Sequence, residues 1–238
     1  MFDEVGKELI KKSGDIINKL YDDLLHPPAK EIGFLLRDIA KSICLLGFPF
    51  MMGATLKDRL SDKVFKIAES VPENLRVMPN PQLFLDYLDK TKFIPDGTSL
   101  IKSFDCLLAS AINRERRNLI HPAFMLILPQ LSSDEMIIIN KLKNAVFKVR
   151  ERFHYNFQTG EFYKVDVFGN EFPIDALHNK DLYFMYCTHL DKLDLINFPQ
   201  TAYEYERDDQ NRQTAEVKTF TLSLSKFGML FVQVCCED

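Results

Sequence analysis

No run of apolar residues in this 238-residue chain is long enough to span a bilayer. The most apolar stretch, ICLLGFPFMMGA from Ile43 to Ala54, holds Pro49 in its middle and falls well short of the roughly 20 residues a span needs, so it reads as a buried helix end. A secretory signal is also missing: Asp3, Glu4 and Glu8 precede any apolar run, the wrong order of charge and hydrophobe for export. Cys44, Cys106, Cys187, Cys235 and Cys236 form no C-x-x-C pair and lie far from histidines at ligand spacing. That pattern excludes a disulfide framework and a zinc site, and predicts buried thiols in a reducing, cytoplasmic compartment. The formal charge of −4 supplies no global attraction to polyphosphate or anionic lipid. The nucleotide-binding, metalloprotease and hydrolase signatures are absent too: no G-x-G-x-x-G, no G-x-x-x-x-G-K-[ST], no H-E-x-x-H and no G-x-S-x-G. No cofactor and no catalytic residue are expected, and no internal repeat is visible.

What is present is the composition of an ordered globular protein, 46% hydrophobic and 27% charged, long enough to bury a core without staples. Val5, Leu9, Ile10, Ile16, Ile17, Leu20, Leu24 and Leu25 recur at helical spacing and predict an amphipathic helix stopped by Pro27 and Pro28. Helices are predicted next over 29–48 and 56–70. Asn80 before Pro81 suits a cap and first helical position for a short helix over 81–89. A longer one follows, with Leu100, Ile101, Phe104, Leu107, Leu108, Ala111 and Ile112 on one stripe. Pro122 is placed at the start of a short helix that Pro129 closes. Ser132 and Glu135 then form the S-x-x-E capping box of a helix predicted to reach about Arg152.

Residues 153–176 change character, with aromatics set among Gly160, Gly169 and Asn170, and read equally as short strands or an ordered loop. Helical spacing returns over 179–190. Extended segments follow near 201–206 and 215–223, joined by RDDQNRQT, and a helix closes the chain over 225–234. In order, the second half has the skeleton of a winged helix. The predicted fold is therefore mainly α: a helical region over 1–130 and an α+β winged-helix-like module over 131–238.

A winged helix ordinarily lays one helix in the major groove. Here residues 177–238 hold six Lys or Arg against ten Asp or Glu, so the face lacks the positive charge that phosphate contacts require. Nucleic acid is not the expected partner, and DNA-binding regulation stands as an alternative. The basic clusters RERR (114–117) and KVRER (148–152) read as solvated helix ends. Within the first, Asn113, Arg114, Arg117 and His121 are the candidate functional residues. His121, beside Pro122, could cap backbone N–H groups or join Arg114, Arg116, Arg117 and Asn113 in a phosphate-handling nuclease or nucleotide site. Cys235-Cys236 reads as packed core.

Three segments read together resemble a known family: LLASAIN at 107–113, HPAF followed by QLSSDE at 121–135, and LSKFGMLF with a cysteine at 224–235. The bacterial abortive-infection alpha family has a helix ending in L-L-A-S, an H-P-x-F turn, an L-S-x-D-E cap and a terminal L-T-x-F-G-x-x-F followed by Cys. Leu108, Ala109, Ser110, His121, Pro122, Phe124, Leu131, Ser132, Asp134, Glu135, Leu224, Phe227, Gly228, Phe231 and Cys235 sit on those positions, and Ser225 replaces the usual Thr. The resemblance covers residues 68–238 and implies a bacterial cytoplasmic protein of phage defence, with no catalytic residues to carry over. The expected partner is another protein, or further copies of the chain in a homo-oligomer. A membrane surface engaged by the N-terminal helices is the alternative, disfavoured because their polar faces mix both signs.

Overall fold

The computed structural model describes residues 27–47 and 54–236, the side chains of 44–47 and 54–56 excepted. The helix expected over 5–25 and most of the apolar stretch at 43–54 lie outside the described residues. The chain divides into two compact units. One runs to Gln130 and takes in Val234–Cys236; the other is Leu131–Gln233.

The first unit is helical: α1 (Ile32–Gly47), α2 (Ala54–Ser70), α3 (Pro81–Thr91), α4 (Ser99–Ile112) and the single-turn α5 (Phe124–Ile127). Ile32, Leu36, Ile39 and Ala40 form one buried stripe of α1, and Leu60, Val64, Ile67 and Ala68 one of α2, which packs on it. The Asn80 side chain accepts the N–H groups of Gln82 and Leu83 with Pro81 at the first position of α3, satisfying two donors that would otherwise be orphaned. Thr98 caps α4 in the same way. Pro122 is not a helix start: it lies in the turn before α5, which begins at Phe124.

The second unit departs from the sequence reading. Its elements are α6 (Ser133–Leu142), β1 (Phe147–Asn156), β2 (Glu161–Asn170), α7 (Tyr183–Lys192), β3 (Ile196–Asn197), β4 (Gln200–Arg207), β5 (Gln213–Leu224) and, as far as Gln233, α8 (Lys226–Cys235). The five strands form one antiparallel sheet. Central β5 carries β1 on one side, with β2 beyond it, and β4 and the short β3 on the other.

This overturns both the mainly-α class and the winged-helix module. The predicted wing, β4 and β5, is part of a sheet that two ten-residue strands extend from the opposite side. The helix expected to reach Arg152 ends at Leu142. From Phe147, the residues Phe147, Val149, Phe153 and Tyr155 alternate with Lys148, Arg150, Arg152 and His154, a period of two that belongs to a strand. The capping box upstream set the helix's start and said nothing of its end.

Gly228 fixes how closely α8 approaches β3. A methyl group at that position would lie 1.8 Å from the Leu195 carbonyl oxygen and 2.7 Å from its carbon, so only glycine admits the backbone approach. Ser225 completes the joint: its hydroxyl accepts the Gly228 N–H at 2.8 Å and donates to the Asp194 carbonyl, while its N–H donates to the Leu195 carbonyl at 3.1 Å. Leu190, Leu195, Ile196 and Phe231 are buried, as are Tyr183, Tyr186 and Cys187 on α7.

Candidate functional site

Two adjacent carboxylates, Asp134 and Glu135, are buried in the first turn of α6. Ser132 caps the helix, and Glu135 closes the reciprocal box by accepting the Ser132 N–H at 2.7 Å and its hydroxyl at 2.8 Å. The other Glu135 oxygen meets His189 Nδ1 on α7. Asp134 accepts the N–H groups of His178 and Asn179, both at 2.9 Å, lies 2.7 Å from the His178 ring nitrogen, and is bonded by Tyr186. Burial alone would raise the Asp134 carboxyl, but these donors outweigh it and hold the group at about 2.

The helix N-terminus favours both negative charges, and the pair ties three segments of the second unit together. His178 is the exposed end of this cluster. Sequence reasoning found the capping box and missed the histidine partners, because 44 and 54 residues separate them from their carboxylates.

The cluster positions side chains, and two buried thiols are shifted away from reactivity. Burial pushes the Cys187 thiol up to about 12. The Cys235 thiol is raised well above its usual range, by burial first and then by Cys236 and Cys106. Reactive thiolates need the opposite environment. Among the described residues no group of three or more His, Cys, Asp or Glu side chains could hold a metal ion, and no helix is long and apolar enough to cross a membrane.

The four residues singled out in sequence lie in the first unit and do different things. Asn113 ends α4: it bridges to Arg76, its side chain accepts the Glu115 N–H at 2.9 Å, and its carbonyl accepts the N–H groups of Arg116 and Arg117. Arg114 is exposed, and its N–H donates to the Leu75 carbonyl at 2.8 Å. Arg117 lines a cleft of about 360 Å³ with Asn80, Gln82, Asp86, Ile120 and Met125. His121 does not line that cleft. Its Nδ1 accepts the Ala123 N–H at 3.2 Å, and its ring sits 6.0 Å from that of Phe124. The Ala123 N–H bond is a contact of the capping kind.

One face of the sheet carries a group of exposed apolar side chains. Directly paired residues of neighbouring strands share a face. On one face Val149, Leu222 and Leu224 are buried at the end nearest α6 and α8. Further along that face lie Phe153, Tyr155, Phe162, Val165, Val167, Tyr203 and Tyr205. Phe162 is 51% exposed, Val165 52%, Tyr203 59% and Tyr205 50%. Glu151, Glu216 and Lys218 are the charges among them, and the Lys218 ammonium lies 4.4 Å from the centre of the Phe153 ring. The opposite face holds buried Ala215 and Val217 together with ion pairs: Arg152 bonds Glu206 at 2.8 Å, and His154 and Lys164 both meet Asp166. Arg150 and Arg152 cover the Phe168 ring.

The family model described as abortive infection alpha matches residues 54–235. The chain belongs to the abortive infection alpha family. No curated protein and no solved structure matches it. The role that comes with the abortive infection alpha family is defence against phage. Several of the residues that carried the resemblance in sequence turn out to be structural joints. Ser110 is buried and donates to the Val234 carbonyl at 3.2 Å. Ser132, Asp134 and Glu135 form the α6 clamp, and Ser225 and Gly228 form the α8 joint. These motif residues of the abortive infection alpha chain hold its elements together, whereas His121 and Pro122 of the H-P-x-F turn are exposed.

Proposed function

We propose that this chain acts in phage defence by recognising protein through the aromatic face of its sheet, with no catalytic step of its own. The observation that carries the reading is that Phe162, Val165 and Val167 on β2 and Tyr203 and Tyr205 on β4 are exposed on the same face, on either side of Phe153, Glu151, Glu216 and Lys218. Exposed apolar side chains gathered on one face are costly to leave in water and mark interaction surfaces. Tyr and Phe are also the side chains most enriched where proteins meet.

Changing Tyr203 and Tyr205 together to Ser tests it. The expected result is loss of protection, with plaque counts rising to those of cells lacking the gene while the unfolding midpoint barely moves, since both side chains are at least half exposed. Full protection from the double variant, at equal protein level, would sink the proposal.

A further inference from the structure

β2 is an outer strand of the sheet and, among the described strands, pairs with β1 alone. Glu161 to Val165 are exposed without a break, on both faces. A long edge strand of this kind presents a row of backbone donors and acceptors that another strand can pair with. Soluble proteins commonly blunt such an edge with charges or bulges. β2 has both: register shifts opposite Arg150/Glu151 and His154/Tyr155 leave Lys164 to Val167 as its regular stretch, and that stretch holds Lys164 and Asp166.

Those two charges decide which partner fits. When an edge strand pairs antiparallel with its own copy, a two-fold axis must pass through one residue, because only residues of the same parity point their backbone groups outward. An axis at Lys164 sets lysine against lysine, and one at Asp166 sets aspartate against aspartate. An axis at Val165 sets Lys164 of each copy opposite Asp166 of the other, twice over. Opposite charges directly across a strand pair stabilise it and like charges destabilise it.

The other outer strand, β4, lacks this property. An axis at Glu204 faces it with itself, and an axis at Tyr205 faces Glu204 with Glu206. Both bring acids together.

We infer that the chain forms a two-fold dimer by pairing β2 with β2 of a second copy about Val165. The inference rests on reading the distal sheet as an interaction surface. Lys164 and Asp166 share the ionic face with Arg152 and His154, while Val165 shares the aromatic face with Phe153. A two-fold axis perpendicular to the sheet keeps each face on its own side, so the two aromatic faces become one continuous surface of twice the extent.

The test is sedimentation equilibrium on the full chain and on charge variants. The unmodified chain is expected to be a dimer. Lys164→Asp alone and Asp166→Lys alone each turn two attractive pairs into two repulsive ones and should weaken the dimer by roughly tenfold or more. An equimolar mixture of the two variants restores complementary pairs and should form a heterodimer. The chain carrying both changes should dimerise with itself. Both side chains are at least one-third exposed, so folding should be unaffected, which circular dichroism checks.

A monomer throughout the micromolar range, or single variants that dimerise as tightly as the unmodified chain, would overturn the inference. Failure of this pairing and failure of the defence reading look different. A monomer whose protection still depends on Tyr203 and Tyr205 removes the dimer alone. A dimer that protects without those tyrosines removes the recognition role alone.

Discussion

The two halves of the sheet share strands, residue types and alternation, yet differ in what happens to their side chains. Near α6 and α8, Val149, Leu222 and Leu224 are buried. Farther along the same face, Phe162, Val165 and Tyr203 stay at least half exposed. Strand pattern alone therefore does not decide burial. Coverage by other elements does, and where coverage stops an apolar strand face becomes surface.

Three tests, using four substitutions, sharpen or break that contrast. The largest effect is expected from Gly228→Val, which drives a side chain into the Leu195 backbone and should destabilise the second unit by upwards of about 3 kcal/mol. Chemical denaturation would show it, and a variant of native stability would mean that α8 does not dock as closely as described.

A matched pair comes next. Leu222→Ala in the covered half should cost about 3 kcal/mol, because it leaves a cavity in packed core. Phe162→Ala in the open half should change stability by no more than about 0.5 kcal/mol, since the side chain is half exposed. Equal costs would erase the distinction between the halves.

The third concerns what holds the covered end together. Asp134→Asn should cost roughly 2 kcal/mol, because an ionised acceptor of several hydrogen bonds becomes neutral. Its pH dependence has a defined sign. The carboxyl sits at about 2 in the folded chain against an ordinary 3.8, so its contribution is complete above about pH 4 and is lost as pH falls toward 2. The unmodified chain should lose stability more steeply across that window than the Asn variant. Parallel acid limbs would show that Asp134 is not the linked group.

Local chemistry was legible where its partners are near in sequence. Asn80 with Pro81, and Ser132 with Glu135, announce helix starts because a cap and the N–H groups it satisfies are at most three residues apart. The β4 and β5 segments and the last helix were legible for the same reason: their apolar period repeats within a few residues. The strand at 147–156 was equally local in its alternation. It was obscured because a strong cap upstream suggested one continuous helix, and a start signal carries no length.

Among the described residues, the sequence by itself determined where most of the helices begin, and it determined which family the chain belongs to. Only the tertiary structure decided that β1 and β2 join β5 in one sheet, since their pairing depends on residues tens of positions apart. It also decided that His178 and His189 close on Asp134 and Glu135, and that Gly228 is pressed against Leu195. Above all it decided which aromatic residues face water. Phe162 and Phe172 are the same residue type on neighbouring stretches of chain, and one is half exposed while the other is buried. Burial depends on what lies above a residue, and that is a property of the folded chain.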